Sequence, residues 1–345
     1  MECAYDVFTN RPIEEDLKGL LQGYRVYVPE EPLSGSRAWE IAKRSRVYID
    51  WFDPVTSDML RDKGCLQVII ARSSGYDHID VEAAESLGVC VANQPEIITE
   101  AVAEFAVGGI LAVLKRIVAR HNYFPQWASK GWPTHLSGFL LRGRSLGLLG
   151  AGRIGQSIAL KLKALGAGKI LYYSRTTKPA LDALGGRRVP LEELFEHSQI
   201  LVNSLPLTRD TRAIVTYSLL TRLPVNAVYV NVGRGGTEEA GAVERVARER
   251  PDLGFVLDVH PVEPVLGGSD RTGYVGDPRF VLAPHMAGFT VESKTGTTLL
   301  ALLQARDFLR WGCVWNPVVD CCRRCGWGAP ELDKVIDMAR RIARG

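Results

Sequence analysis

Short apolar runs alternate with amphipathic stretches over the first hundred residues, and this alternation predicts strands and helices in turn. The apolar runs predict strands at 5–8, 24–28, 46–49, 66–70 and 89–91. The stretches between them predict helices over 12–22, 37–44, 56–63 and 81–87. Because strands that alternate with helices form a parallel sheet covered by those helices, this part of the chain is predicted to be α/β.

A second series of strand and helix patterns follows a long apolar stretch. Residues 99–120 are rich in Ala, Val, Ile and Leu and predict one long helix that is buried against a large surface and joins two domains. Later apolar runs predict strands at 145–149, 169–173, 199–203, 227–231, 254–258 and 280–283. A final helical pattern over 291–310 is predicted to return the chain to the first domain.

The most informative stretch is a glycine-rich turn between a strand and a helix. The predicted strand 145–149 leads directly into Gly150-x-Gly152-x-x-Gly155, and a helical pattern follows. The first glycine allows a tight turn, the second lets the backbone approach a pyrophosphate, and the third lets the helix lie close to the strand. The pattern predicts that a dinucleotide binds at Gly150, Gly152, Arg153, Ile154 and Gly155, with its phosphates on the N–H groups of the helix start.

The predicted fold class is α/β with two doubly wound parallel-sheet domains. Residues 98–289 are predicted to form a Rossmann-type dinucleotide-binding domain, and residues 1–97 with 290–345 a flavodoxin-like substrate domain. Ligands of such sheets bind in the crevice at the carboxyl ends of the strands. Residues that follow the predicted strands are therefore the first candidates for the functional site.

Composition and charge exclude several classes of protein. The 345 residues are 46% hydrophobic, which is enough to bury the cores of two domains. The net charge is only +3 and the basic residues are scattered among 39 acidic ones, so no nucleic-acid partner is expected. We expect no apolar run of the roughly 18 residues that span a membrane, and the first residues lack the order of a signal peptide. The expected location is the cytoplasm.

The seven cysteines are an odd number and do not suggest a secreted disulfide framework. Four of them fall late in the chain, at Cys313, Cys321, Cys322 and Cys325. A zinc site would need all four at an unusual spacing, so we expect no metal. Ordinary thiols and a stabilising disulfide are both left open. A disulfide there, with arginine predominating among the basic residues, would suit a thermophile.

Several separated motifs occur in one order along the chain. They are Ser74-Gly-Tyr-Asp-His-Ile-Asp80, Val102-Ala-Glu104, the Gly150 turn, Leu205-Pro-Leu207 with Thr211, Asn231-Val-Gly-Arg-Gly235, Asp258-Val-His-Pro-Val-Glu-Pro264 and Pro284-His285. With these motifs the chain resembles the D-isomer-specific 2-hydroxyacid dehydrogenases from about residue 45 to residue 315. Among them it looks most like the glyoxylate/hydroxypyruvate reductases, chiefly through Tyr173-Ser-Arg-Thr176.

The resemblance implies hydride transfer between C4 of a nicotinamide and C2 of a 2-oxoacid, while an imidazolium protonates the carbonyl oxygen. By motif position His285 is the acid/base, Glu263 is its carboxylate partner, and Arg234 binds the substrate's carboxylate and carbonyl. These residue types suit that chemistry, because histidine exchanges protons near neutral pH and a carboxylate favours its charged form. Arginine pairs with a carboxylate in two places. Each of the three follows the end of a predicted strand.

The resemblance also assigns residues around the substrate and the cofactor. The backbone N–H groups of Ser74 and Gly75 would receive the substrate's carboxylate from the other domain. Further expected cofactor contacts are Val102 with Ala103 near the nicotinamide, Leu205 and Pro206 beside the adenine, Asp258 at the nicotinamide amide, and Thr211, Val232 and Gly233. His78 and His260 match no such position and are expected to be structural.

Residues 116–140, with Trp127 and Trp132, resemble the arm that dimeric members of the family exchange. A homodimer is therefore expected, and one of these aromatic side chains would reach the partner's active site.

The end of the second strand of the nucleotide domain selects the cofactor. An NAD-specific site has an acidic residue there, about 20 residues past the fingerprint, to bind the ribose 2′-OH. Here that place is held by Ser174, followed by Arg175 and Thr176, which can bind a 2′-phosphate by charge-assisted hydrogen bonds. NADP(H) is therefore the predicted cofactor, with NAD(H) as the alternative.

The predicted function is NADPH-dependent reduction of a small 2-oxoacid, glyoxylate or hydroxypyruvate, to the D-2-hydroxyacid. Near the motifs no basic residue other than Arg72 is placed to hold a second anionic group of the substrate, and the sequence does not orient the Arg72 side chain, so small acids with one negative charge are favoured. Phosphite oxidation on the same scaffold is an alternative, but the lysine that such enzymes carry before the loop glycine is Ser74 here. An NAD(H)-sensing, corepressor-like protein without significant turnover is the alternative from another class.

Overall fold

The computed structural model describes residues 3–263 and 274–344. The chain divides into two compact units. The first unit contains the residues up to Ile98 and those from Phe289 onward, and the second contains Thr99–Gly288. Each border lies one residue from the predicted one. Pro264, the last residue of the predicted Asp258 motif, lies outside the described residues.

The first unit is built on a five-stranded parallel sheet with the order β2-β1-β3-β4-β5. Its strands are β1 (Tyr5–Thr9), β2 (Val26–Tyr27), β3 (Ser45–Asp50), β4 (Val68–Ala71) and β5 (Cys90–Ala92). Its helices are α1 (Glu15–Lys18), α2 (Gly35–Ala42), α3 (Ser57–Arg61), α4 (Val81–Ser86), α13 (Val291–Trp311) and α14 (Leu332–Arg344). This strand order is the flavodoxin-like one.

The second unit contains a seven-stranded parallel sheet with the order β12-β11-β10-β9-β6-β7-β8. Its strands are β6 (Leu146–Leu149), β7 (Ile170–Tyr173), β8 (Gly186–Arg188), β9 (Ile200–Asn203), β10 (Val228–Asn231), β11 (Gly254–Leu257) and β12 (Phe280–Leu282). After α5 (Glu96–Leu114), its helices are α6 (Ile117–Tyr123), α7 (Trp127–Lys130), α8 (Arg153–Ala164), α9 (Pro179–Asp182), α10 (Leu191–His197), α11 (Tyr217–Leu220) and α12 (Ala242–Glu249). The reversal of strand order at β6 is that of a doubly wound nucleotide domain, which confirms the predicted fold class.

The long helix predicted over 99–120 was wrong, because the chain breaks between α5 and α6. Arg116 adopts a left-handed conformation with φ of 51°. The carbonyl of Leu114 accepts the N–H of Phe139 at 2.7 Å, and the Lys115 ammonium donates to the Phe139 carbonyl at 2.9 Å. A Cβ on Gly138 would lie 2.6 Å from that Leu114 carbonyl. Gly138 and Phe139, from a later part of the chain, therefore lie where the next turn of α5 would continue.

The apolar patterns also missed two elements. Strand β8 reads Gly-Arg-Arg and lies at the sheet edge, so it carries no apolar run for a pattern to detect. Helix α14 was not predicted, although it buries Val335 and Ala339. It packs on α13, in which a Cβ on Gly296 would lie 2.7 Å from Cδ1 of Ile97, so glycine there allows Ile97 to approach α13 closely. Helix α13 itself agrees with the predicted 291–310 and begins with a capping box.

Helix α5 is long and apolar enough to cross a membrane by length and composition, contrary to the expectation from the sequence, and half of the relevant window is buried. A core helix of a globular protein passes the same test. Within the second unit, Glu100 of α5 forms an ion pair with Lys161 at 2.5 Å and accepts a hydrogen bond from Ser157 at 2.8 Å. Both partners lie on α8, so this helix packs as part of a folded core.

Of the two alternatives left open for the four late cysteines, ordinary thiols or a disulfide, the structure forms disulfides at three of them. Cys313 bonds to Cys325, and Cys322 bonds to Cys90 on β5, which lies 232 residues earlier. Cys321 is an exposed free thiol. In the part of the chain that the structure describes, no group of three or more His, Cys, Asp or Glu side chains could hold a metal ion.

Candidate active site

The glycine-rich turn after β6 has the geometry that a dinucleotide requires. Gly150 has a positive φ of 93°, which favours glycine. A Cβ on Gly155 would lie 2.4 Å from the carbonyl oxygen of Gly150, so only glycine lets α8 approach the strand this closely. At Gly152, by contrast, a Cβ would meet no atom of the described chain within 4 Å. The space over Gly152 is therefore open to a phosphate group, and Arg153 and Ile154 begin α8 beside it.

The turns after β9 and β10 close around the same glycine. The Ser204 hydroxyl donates to the Gly150 carbonyl at 2.8 Å. A Cβ on Gly150 would lie 3.1 Å from the Leu205 nitrogen, and a Cβ on Gly233 would lie 2.6 Å from the Leu205 carbonyl oxygen. The N–H of Val232 donates to the Asn203 carbonyl at 3.0 Å. The structure thus brings the predicted cofactor residues of three strand ends together.

The loop that begins with Leu205 and Pro206 is closed by Thr211. The Thr211 hydroxyl donates to the Pro206 carbonyl at 2.6 Å and accepts the N–H of Thr208 at 2.8 Å. Val102, the other predicted apolar contact, is buried on α5 with 6% exposure. The hydroxyl of Thr211, an expected cofactor contact, is therefore bonded within its own loop.

Ser174, Arg175 and Thr176 lie in a turn at the carboxyl end of β7, as predicted. Arg188, at the end of β8, completes this turn by donating to the carbonyls of Ser174 at 2.8 Å and Arg175 at 3.0 Å. Arg188 was not among the predicted cofactor residues, because strand β8 carries no apolar run that would predict it. Ser174, Arg175 and Thr176, with Arg188 bonded to their backbone, therefore lie at the strand end that faces the ribose in doubly wound nucleotide domains.

His285 and Glu263 form the pair that the motifs predict. Nδ1 of His285 lies 2.6 Å from Oε2 of Glu263, and the two side chains are 37% and 32% exposed. The other carboxylate oxygen of Glu263 accepts the N–H of His260 at 2.8 Å. Burial raises the pKa of Glu263, but the hydrogen bonds from His285 and the His260 N–H outweigh it and hold the pKa below its usual range. Glu263 is therefore a carboxylate at neutral pH.

Asp258 supports the segment that carries the histidine. One of its carboxylate oxygens accepts the N–H groups of Met286 at 2.7 Å and Ala287 at 2.9 Å, and its carbonyl accepts the N–H of His285 at 2.7 Å. Burial raises the pKa of Asp258 although these N–H groups favour the carboxylate. His285 has a left-handed backbone with φ of 58°, a strained conformation that these bonds sustain. The motifs had suggested only a nicotinamide contact for Asp258.

Arg234 follows β10, which pairs with β11 in the sheet, and β11 in turn pairs with β12. Its guanidinium donates to the Gly233 carbonyl at 2.9 Å. A Cβ on the next residue, Gly235, would lie 1.9 Å from the carbonyl oxygen of His260. The Arg234 loop therefore packs directly on the loop that leads to Glu263, and the three predicted catalytic residues follow three consecutive strands of the sheet.

Ser74 and Gly75 lie in the bend after β4 of the first unit. Asn93 holds this bend by donating to the Ser74 carbonyl at 2.7 Å, and the Ser73 hydroxyl donates to the Gly75 carbonyl at 2.6 Å. Among the described residues, no group accepts a hydrogen bond from the N–H of Ser74 or Gly75. Those two donors are available to an anion, as the motif implies.

Arg72, the basic residue that the sequence could not orient, is buried with 5% exposure. Its guanidinium stacks on Trp51 at 4.1 Å and donates to the Lys294 carbonyl at 3.3 Å. Burial lowers its pKa to about 10. His78, expected to be structural, lies 2.7 Å from Asp50. His260 places its Nε2 3.1 Å from the Ala283 carbonyl.

A doubly wound sheet with a glycine-rich turn at the reversal of strand order, and a histidine–carboxylate pair at the same edge, defines a nicotinamide-dependent oxidoreductase. Comparison with known proteins agrees. Residues 107–287 match the family model described as "D-isomer specific 2-hydroxyacid dehydrogenase, NAD binding domain". The chain belongs to the D-isomer specific 2-hydroxyacid dehydrogenase family, which confirms the resemblance.

Individual relatives extend this match over most of the chain. A glyoxylate reductase of Aeropyrum pernix is 37% identical over 256 residues, covering 72% of this chain and 75% of that protein. A glyoxylate reductase of Thermococcus litoralis is 32% identical over 318 residues, covering 88% and 92%. A crystal structure of a protein from Thermus thermophilus superposes with a TM-score of 0.79 at 28% identity, over 91% of this chain and 100% of that one.

Proposed function

We propose that this protein is an NADPH-dependent reductase of a small 2-oxoacid, with glyoxylate and hydroxypyruvate as the preferred substrates. The observation that carries the proposal is the His285–Glu263 pair at 2.6 Å, held beside the Arg234 loop at the edge of a dinucleotide domain. The relatives named glyoxylate reductase support the choice of substrate.

The turns around Gly150 would hold the cofactor, since their geometry fits a dinucleotide. When bound, the reduced nicotinamide supplies a hydride to the carbonyl carbon of the substrate. Glu263 occupies Nδ1 of His285, so Nε2 is the nitrogen that donates a proton to the carbonyl oxygen. Glu263 orients the imidazole and stabilises its charged form. Arg234, Ser74 and Gly75 bind the substrate's carboxylate, the first through its planar fork and the others through backbone N–H groups.

The preference for NADPH rests on the turn at the end of β7. A carboxylate at this place would repel a 2′-phosphate, and the turn instead carries Ser174, Arg175 and Thr176. Arg188 adds a second guanidinium within hydrogen-bond distance of the same turn. The Arg175 guanidinium, on a turn whose backbone Arg188 fixes, favours NADPH over NADH through charge-assisted hydrogen bonds to the 2′-phosphate.

A small substrate with one negative charge suits the residues around the proposed site. Arg72 is the cation nearest in sequence to the Ser74–Gly75 bend, but its guanidinium is already stacked on Trp51 and bonded to a carbonyl. We therefore infer that it stabilises the first unit and does not hold a second anionic group. 3-Phosphoglycerate and bulky branched acids are expected to be poor substrates.

We also propose a homodimer that works in the cytoplasm. The segment 116–140 exposes Phe124 by 69%, Trp127 by 44% and Trp132 by 80%, and a second copy of the chain would cover these aromatic side chains. Two disulfides in a cytoplasmic protein would suit a hyperthermophile, and some relatives come from Aeropyrum and Thermococcus.

The test is an initial-rate panel of 2-oxoacids with NADPH and NADH, on the wild-type protein and two variants. We expect His285→Ala to lower turnover of glyoxylate by about 10² to 10⁴, as for a lost general acid, with cofactor affinity nearly unchanged. His197→Ala, which removes an exposed histidine outside the site, is the control. Near-normal turnover in His285→Ala would reject the assignment. Tight cofactor binding without turnover of any oxoacid would instead indicate a dinucleotide sensor.

A further inference from the structure

A buried carboxyl group lies beneath the loop that carries Arg234, and the proposed reaction does not use it. Glu238 is 6% exposed and directly follows a short 3₁₀ helix at Gly235–Thr237. Its Oε1 accepts the side-chain amide of Asn231 at 2.7 Å and the hydroxyl of Tyr229 at 2.9 Å. No basic side chain of the described residues forms an ion pair with it. A carboxyl group without a cation in a protein core requires an explanation.

The Asn231 side chain connects this carboxyl group to the backbone at Arg234. Its Nδ2, which donates to Glu238, also lies 3.4 Å from the Arg234 carbonyl oxygen, and its Oδ1 accepts the N–H of Gly233 at 3.0 Å. The Arg234 carbonyl additionally accepts the Thr237 hydroxyl at 2.6 Å. The Asn231 side chain thus links Glu238 to the backbone of Gly233 and Arg234, and these two residues position the Arg234 guanidinium.

The surroundings of Glu238 place its titration near neutral pH. Burial raises its pKa to about 7, although the hydrogen bonds from Asn231 and Tyr229 favour the charged form. Glu244 on α12 raises the pKa further. Tyr229 on β10 keeps its proton, because burial raises its own pKa far above the usual value. The neighbouring β9 contributes Asn203, a neutral side chain, whose Nδ2 lies 3.4 Å from the Tyr229 hydroxyl.

We propose that Glu238 is a positioning residue for Arg234, and that its carboxylate tightens the Arg234 loop through Asn231 and so strengthens binding of the oxoacid. Hydrogen bonds to a carboxylate are shorter and stronger than those to a neutral acid. Protonation of Glu238 therefore loosens the loop as the pH falls below neutrality. The inference rests on the proposed role of Arg234, and it adds a pH response of substrate affinity that is separate from proton donation by His285.

The first experiment compares KM and kcat for glyoxylate from pH 5.5 to 8.5 in the wild-type protein, Glu238→Gln and Glu239→Gln. Glutamine keeps the acceptor oxygen but cannot ionise. The ratio of KM in Glu238→Gln to wild-type KM should be near one at pH 5.5 and rise about three- to tenfold by pH 8.5, the difference between a charged and a neutral hydrogen bond. The kcat ratio should stay constant. Glu239 is exposed, and its variant should show a KM ratio that does not change with pH.

A pH-independent KM ratio for Glu238→Gln in an active enzyme would overturn the proposal and leave the proposed function intact. A second measurement separates the two if no oxoacid is turned over. Hydrogen exchange at the Gly233 amide, which donates to the Asn231 side chain, should become slower between pH 6 and pH 8 in the wild-type protein after correction for intrinsic exchange. In Glu238→Gln the corrected rate should not change. The same change in both proteins would refute positioning by Glu238, whatever the activity.

Discussion

The buried carboxyl group of Glu238 leads to a prediction about folding that does not depend on catalysis. Replacing Glu238 with Gln keeps the shape of the side chain and its acceptor for Asn231 and Tyr229. It removes the group's titration. Glutamine should therefore match the protonated glutamate at acid pH, and it should be the more stable residue once the glutamate is forced to carry a buried charge.

The size and sign of the effect follow from the two pKa values of the carboxyl group. In the folded protein the pKa is about 7, against an ordinary value of 4.5, so the folded state keeps a proton that the unfolded chain releases in this interval. Stability therefore falls as the pH rises through the window from 4.5 to 7. Each pH unit is worth about 1.4 kcal/mol, which gives a loss of about 3 kcal/mol that Glu238→Gln should not show.

Calorimetric melting of the wild-type protein and Glu238→Gln at several pH values between 4.5 and 8 measures this difference, since the other titrating groups are common to both. For a unit of this size the variant's melting temperature should gain about 6 to 12 °C on the wild type across the window. Glu239→Gln, an exposed neighbour, should give a curve parallel to wild type. Parallel curves for Glu238→Gln would mean that the carboxyl group ionises normally in the fold, and the reasoning would be refuted.

Three further predictions concern the cofactor, the acid/base pair and assembly. Arg175→Ala and Arg188→Ala should each raise KM for NADPH about tenfold and leave KM for NADH little changed. Arg187→Ala, on β8 beside Arg188, is the control. Equal KM values for the two cofactors in the wild-type protein would contradict this prediction. Glu263→Gln should move the alkaline limb of the pH profile for reduction to lower pH, because the imidazolium loses its stabilising charge; an unmoved profile would reject that role. Trp132→Glu should convert a dimer into a monomer in sedimentation experiments, whereas an unchanged sedimentation coefficient would exclude the exposed arm from the interface.

Much of the fold and of the candidate site could be read from local pattern. Strands β6, β9 and β10 are continuous apolar runs because helices cover both faces of a parallel sheet. Gly150 and Gly155 were recognisable because their conformation and close contact exclude a side chain. His285 and Glu263 were found from their motifs, and they meet because the ends of neighbouring parallel strands share one edge of the sheet.

Other features depended on residues that are far apart in the chain. The break after α5 requires the N–H of Phe139, and the pairing of Cys322 requires Cys90 on a distant strand. Arg188 became visible as a neighbour of Arg175 only when β8 was placed beside β7. The raised pKa of Glu238 likewise depends on burial by other parts of the folded chain. A local pattern reports which face of an element is apolar, but the free energy of a charge depends on the groups and solvent that surround it, and only the folded chain brings those together.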